Sequence, residues 1–161
     1  MERTTIVQTE IPDRLSDETL AAELESARQE RMLSLDVAIE KRIPVEQLGD
    51  RSFEVGLKAF HNMCDFWAID ARVAEAILFA GTDSTPENQY EHLMERLSYM
   101  LRLYRLVFDV IQGDDDRKQR WLRRSNVALD GERPIDLVSS GRTGIEKVLA
   151  YLNFCQNGHS S

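Results

Sequence analysis

A chain of 161 residues with 42% hydrophobic side chains is long enough to build one core and too apolar to stay disordered. Its 28 acidic against 20 basic residues give a net charge of -8, a field that repels nucleic acid at long range. No apolar run is long enough to span a bilayer, and the start, Met1-Glu2-Arg3-Thr4-Thr5, lacks an apolar signal core, so a soluble, cytoplasmic protein with no membrane contact is expected.

Residues 1–15 mix Thr, Glu, Pro and Asp without period and are expected to form a mobile arm. Ser16 or Asp17 is placed to cap a helix carrying Leu20, Leu24 and Ala27 on one side. A second short helix is expected over 35–41, because Pro44 pushes the residue before it out of helix. Ser52 is read as the cap of the first strongly apolar helix, in which Phe53, Leu57, Phe60, Cys64 and Trp67 recur at spacings of three and four. Asp70 caps the next helix, with Val73, Ile77 and Leu78 inward and Gly81 at its end. Thr85-Pro86-Glu87 then reads as a helix start. The long helix that follows carries a seam of Tyr90, Leu93, Leu97, Leu101, Tyr104, Phe108 and Ile111, closed by Gly113.

Asp114-Asp115-Asp116 opens a short helix containing Trp121 and Leu122, and Asp130-Gly131 makes a turn. Pro134 starts another short helix with Ile135, Leu137 and Val138, ended by Gly141. Thr143 and Glu146 have the capping-box spacing, ahead of a last helix with Ile145, Val148, Leu149, Leu152 and Cys155 inward. No strand alternation appears. The pattern predicts an all-α fold, a compact multi-helix domain divided as an arm and helical extension (1–50), a helical core with the long helix (51–113) and a C-terminal helical subdomain (114–161).

The residues for common chemistries are not assembled. Cys64 and Cys155 make no CxxC and lie on apolar stripes, so buried thiols in a reducing compartment are expected. His61 and Cys64 have the spacing of half a metal site, with no second pair to complete it; core packing beside a surface His61 is the expectation. The acidic run 114–116 lacks the alternation and later Glu of a calcium loop. There is no G-x-S-x-G, phosphate-cradling glycine loop or H-E-x-x-H, and Ser139-Ser140-Gly141 has no histidine near it in sequence. A protein without catalytic site, cofactor or metal is expected.

Charge is uneven: residues 1–50 are net -6, residues 51–113 net -3 and residues 114–161 net +1. The order of residues in that last third is also specific. Trp121-Leu122, Arg123-Arg124, Asn126, Leu129 to Gly131, Pro134 with Leu137, and Gly141 before the last helix occur in sequence. This series resembles the toxin-binding domain of the Xre/MbcA/ParS antitoxins. The likeness covers about 114–158 well and continues loosely upstream through Glu95-Arg96-Leu97-Ser98-Tyr99. Ser125 stands where that family often has Pro, and Asp130 replaces a small residue in the turn.

The resemblance implies a partner: a RES-domain toxin that consumes NAD or uses it for ADP-ribosylation, neutralised by covering its active site. The side chains expected to make that contact are Arg123, Arg124, Asn126, Arg133 and Arg142, followed by Tyr151, Phe154, Asn157 and His159 on the last helix and tail. Trp and Arg commonly dominate interface energetics, although Trp121, Leu122, Leu129 and Leu137 read first as core.

Relatives often carry a helix-turn-helix ahead of this part. Here only Thr82 to Ser84 separate Gly81 from the start of the long helix, whose leading end offers Asp83, Glu87, Glu91 and Glu95 before Arg96. Facing phosphate, that surface repels. A degenerate helix-turn-helix is expected, with DNA contact weak or confined to a toxin complex. Homodimerisation through the long helix or the 52–80 pair is expected as well. The alternatives are a DNA-binding autorepressor and a helical adaptor with an unrelated partner.

Overall fold

The computed structural model describes residues 16–82, 85 and 87–158. The expected arm over 1–15, Pro86 of the anticipated helix start and His159 of the tail lie outside them. The described residues form eight α-helices and one 3-10 turn, with no strand. None of these helices is long and apolar enough to cross a membrane.

The first helix, α1 (Asp17–Glu40), is a single piece of 24 residues. Ser16 caps it by accepting from the Thr19 amide. The expected break before residue 35 does not occur, because no Gly or Pro interrupts the segment until Pro44. The stripe of Leu20, Leu24 and Ala27 is not its packed face; residues 17–27 are all exposed. Burial begins at Arg31 and continues through Leu35, Ala38 and Ile39.

After the short α2 (Val45–Leu48), Asp50 rather than Ser52 caps α3 (Arg51–Phe66), its carboxylate accepting from the Ser52 amide. Phe53, Phe60, Cys64 and Trp67 are buried as expected, and Leu57 is half-buried. His61 departs from expectation: it is 4% exposed and packed inside, with both ring nitrogens lacking hydrogen-bond partners. Burial pushes its pKa down and raises that of the Cys64 thiol to about 12. Cys155 is half-buried.

Asp70 caps α4 (Ala71–Phe79) through the Val73 amide, and Gly81 turns the chain with φ 71°. The long helix α5 (Gln89–Val110) begins four residues later than Thr85. Its buried face is Leu93, Arg96, Leu97, Met100, Leu103, Leu106 and Val107, so the anticipated seam is rotated: Leu101 and Tyr104 are half-buried and Phe108 is 38% exposed. Leu93 and Leu97 hold their expected places, and beyond them the buried positions come one residue earlier, at Met100, Leu103 and Val107. This face is covered within the chain by α3, α4 and α8.

α6 (Asp115–Trp121), the 3-10 turn Val127–Leu129, α7 (Pro134–Val138) and α8 (Arg142–Gly158) complete the chain. Asp114 caps α6 by accepting from the Arg117 amide. Asp130 and Gly131 both hold left-handed backbone, at φ 59° and 78°. α8 starts at Arg142, so Thr143 lies inside the helix and the expected capping box does not form; Glu146 instead holds Arg142 at 2.8 Å.

Pairs of contacts give the directions. Arg142 reaches Glu95 at one end of α8 and Gln156 reaches Asp109 at the other, so α8 runs parallel to α5. Phe53 meets Tyr90 and Phe66 meets Tyr104, so α3 is parallel to α5 as well. Arg31 bonds to the Ile69 carbonyl and Arg42 to Glu75, which lays α1 along α4 in the same sense. One apolar cluster runs from Leu35 to Leu152 and joins all of these helices.

Candidate functional site

The C-terminal third is positioned by its turns. Asn126 organises the first of them: its side chain accepts from the Ala128 amide, its carbonyl from the Leu129 and Gly131 amides, and its own amide donates to the Glu132 carbonyl. The Ile135 amide then reaches back to the Leu122 carbonyl. Leu122, Leu129, Pro134 and Leu137 are buried, while Trp121 packs against the core half-buried. At Gly144 the Leu137 carbonyl would stand 1.9 Å from a Cβ, so α7 and α8 touch only because that carbon is absent.

The residues expected to bind a partner fall into separate groups. Arg123 donates to the Ala68 carbonyl at 2.9 Å, where α3 turns into α4. Arg124 lies beside it, exposed. Together with Arg120 and Gln119 they rim a cleft of about 390 Å³ over Phe66 and Trp67. Arg142 sits at the other end of α4, held by Glu146 at 2.8 Å and Glu95 at 3.0 Å. Nine residues of α4 intervene, a rise of about 13 Å. Arg133 is paired with Asp136 by two hydrogen bonds on a third, exposed site. The four arginines therefore do not form one cluster.

Tyr151 and Phe154 lie one and two turns beyond Lys147, on one side of α8. Lys147 pairs with Asp130 at 2.7 Å, which places the Asp130 turn along the same side and holds the Asp130 carboxyl below its usual pKa. Phe154 is 77% exposed and Val127, in the adjoining 3-10 turn, is 93% exposed. Tyr151 is half-buried and Asn157 exposed. Nothing in the sequence marked Val127 as a surface residue, since an apolar side chain next to Leu129 reads as core. The Asp130–Lys147 pair was equally hidden, its members being 17 residues apart.

The upstream half shows how Arg96 is committed. It is 4% exposed and donates to the carbonyls of Ile77 and Ala80, capping the end of α4, and burial lowers its pKa. The exposed leading end of α5 keeps Glu87 and Glu91 without this cation beside them at the surface. Ser139 and Ser140 each donate back to α7 carbonyls, those of Ile135 and Leu137. Among the described residues no three His, Cys, Asp or Glu side chains gather as metal ligands.

Residues 104–158 match the family model described as the antitoxin Xre/MbcA/ParS C-terminal toxin-binding domain. The match begins inside α5, ten residues ahead of the sequence likeness at 114, and ends with α8. No curated protein and no solved structure matches the chain.

Proposed function

We propose, from a C-terminal third that is an antitoxin-type toxin-binding domain, that the chain neutralises a RES-domain toxin by stoichiometric binding and occlusion of the toxin's active site. The domain implies a toxin partner and a binding role rather than a catalytic one. The observation that carries the mechanism is the exposed apolar side chains within the matched segment, Phe154 and Val127, with Tyr151 half-buried one turn before Phe154 on α8. An exposed aromatic on a rigid helix is an economical anchor, because few rotors are frozen when it enters a pocket. An NAD-binding toxin presents a concave site, and the end of α8 is the narrow element able to enter it. Arg123, Arg124 and Arg142 supply a broader, charged docking face away from that end.

Co-expression with the toxin tests this reading: growth returns and the two proteins co-purify. Deleting residues 156–161 weakens inhibition more than complex formation, while Phe154→Ala weakens both by roughly tenfold or more without lowering the melting temperature. Persistent toxicity with no complex on a sizing column rejects the proposal. A complex that forms with an unrelated enzyme class would keep the antitoxin role and reject the RES partner. DNA binding by the free chain is expected to be poor at physiological salt, since Arg96 is buried and the end of α5 is acidic; tight retardation of its own promoter fragment contradicts that.

A further inference from the structure

Two surfaces are left uncovered by the rest of the described residues, and they are complementary. The first is the leading half of α1. Between residues 17 and 27 it carries Asp17, Glu18, Glu23 and Glu25 with no Lys or Arg, and every residue is exposed. Leu20 and Leu24 show 46% and 63% of their surface to water along one stripe, with Asp17 and Glu23 at its edge. Helices this short are marginal in water on their own. The second surface is the cleft over Phe66 and Trp67. Its lining holds Arg120, Arg123 and Arg124 against one carboxylate, Asp65, which Arg28 and Arg31 already hold. No residue of α1 lines it.

We infer that these surfaces bind each other between two copies of the chain, the acidic arm of one copy seating Leu20 and Leu24 in the arginine-rimmed cleft of the other. The arm cannot pair with its own counterpart, because that would set four carboxylates against four. It does not reach its own cleft by bending, because Arg31 fixes the helix at the Ile69 and His61 carbonyls and at Asp65, and α1 runs on unbroken from that anchor. A twofold axis satisfies both copies at once, arm to cleft and cleft to arm. Arg120 and Arg124, which make no ion pair among the described residues, then face Asp17 and Glu23. Half-buried Phe66 and the exposed Ala68 supply the apolar floor, with the Trp67 ring wholly buried beneath it. The cleft shares Arg123 and Arg124 with the proposed toxin-docking face, so this contact belongs to the free protein; it needs no toxin to be tested, and its failure leaves that reading standing.

Sedimentation velocity on the full chain, from low to high micromolar concentration, decides it. The wild type forms a dimer whose affinity falls as salt rises. Leu20→Asp with Leu24→Asp, both on exposed positions, raises the dissociation constant by at least about tenfold while leaving the melting temperature of the dilute protein unchanged. Two charge-reversed chains sharpen the test. Asp17→Lys with Glu23→Lys, and Arg120→Glu with Arg124→Glu, are each monomeric alone. Mixed in equal amounts they form a heterodimer, because both arm-to-cleft contacts are again between opposite charges. A wild type that stays monomeric at high micromolar concentration overturns the inference. So does a dimer untouched by the leucine substitutions, or a mixture of the reversed chains that remains monomeric.

Discussion

α1 and α8 are both long helices, yet they are held in opposite ways. α8 buries Gly144, Ile145, Val148, Leu149 and Leu152, a stripe that follows the helix from its first turn toward its last. α1 buries nothing before Arg31, and its grip on the body begins with a guanidinium rather than a methyl group. Packing dictates the one, while the leading half of the other rests on Ala, Leu and Glu propensity with a Ser16 cap. A helix can therefore be continuous in backbone and discontinuous in what stabilises it.

The sharpest way to break this contrast is at Gly144. Gly144→Val drives a side chain into the Leu137 carbonyl and should destabilise the whole fold by at least about 3 kcal/mol, read from urea unfolding. A loss under half of that would mean that α7 and α8 can slide apart. The counterpart in α1 is Arg31→Ala, which strands the Ile69 and His61 carbonyls and breaks the pair with Asp65. The expected cost is about 2 kcal/mol, below the range for fully buried pairs, because Asp65 is partly exposed and keeps Arg28. Hydrogen exchange should quicken in α1 and not in α8.

The same anchor gives a graded experiment. His61 lies beside it, near Asp36 and Asp65 and near Arg31 and Arg28, and its folded pKa is below the ordinary 6.5 chiefly through burial. The unfolded chain then binds the proton first as pH falls. Stability from this group is intact above its unfolded pKa of about 6.5 and declines as pH drops from there toward the folded value. Melting of wild type at about pH 7.5 and about pH 5.5 should show the decline, and His61→Leu should flatten it. An unchanged slope in the variant would remove His61 from the account.

The smallest effects compare two exposed alanines. Ala150→Gly in α8 should cost about 1 kcal/mol of global stability, because that helix melts only with the core. Ala22→Gly in the arm should cost less than about 0.5 kcal/mol, since local fraying absorbs it. Equal costs would show that the arm is part of the cooperative unit.

Local chemistry was the readable part of the sequence. The caps Ser16, Asp70 and Asp114, Pro134 at a helix start and the Asp130-Gly131 turn each act within four residues, and each marks its place. The apolar faces of α3, α4 and α8 were legible for the same reason. Arg31, His61 and Arg96 were not, because a buried polar side chain is justified only by partners far along the chain, here 16 to 38 residues away for the two arginines. The candidate contact residues were legible as a set and not as a geometry. Arg123 and Arg142 look close in a basic third, but α4 separates the carbonyl that holds one from the turn that faces the other.

Where Gly141 meets Ala80 and Gly81, the turn into α8 rests directly on the turn into α5, with the Ala80 carbonyl 3.3 Å from where a Cβ would sit. That contact makes the family segment and the folding unit different lengths. Residues 104–158 carry the recognition pattern, but the first turns of α8 are sheltered by α5 near Glu95 and by a junction from before residue 82. Transplanting the segment onto another host therefore means transplanting its seat too: a helix that begins some fifteen residues before 104, and a neighbouring loop as slim as two small residues.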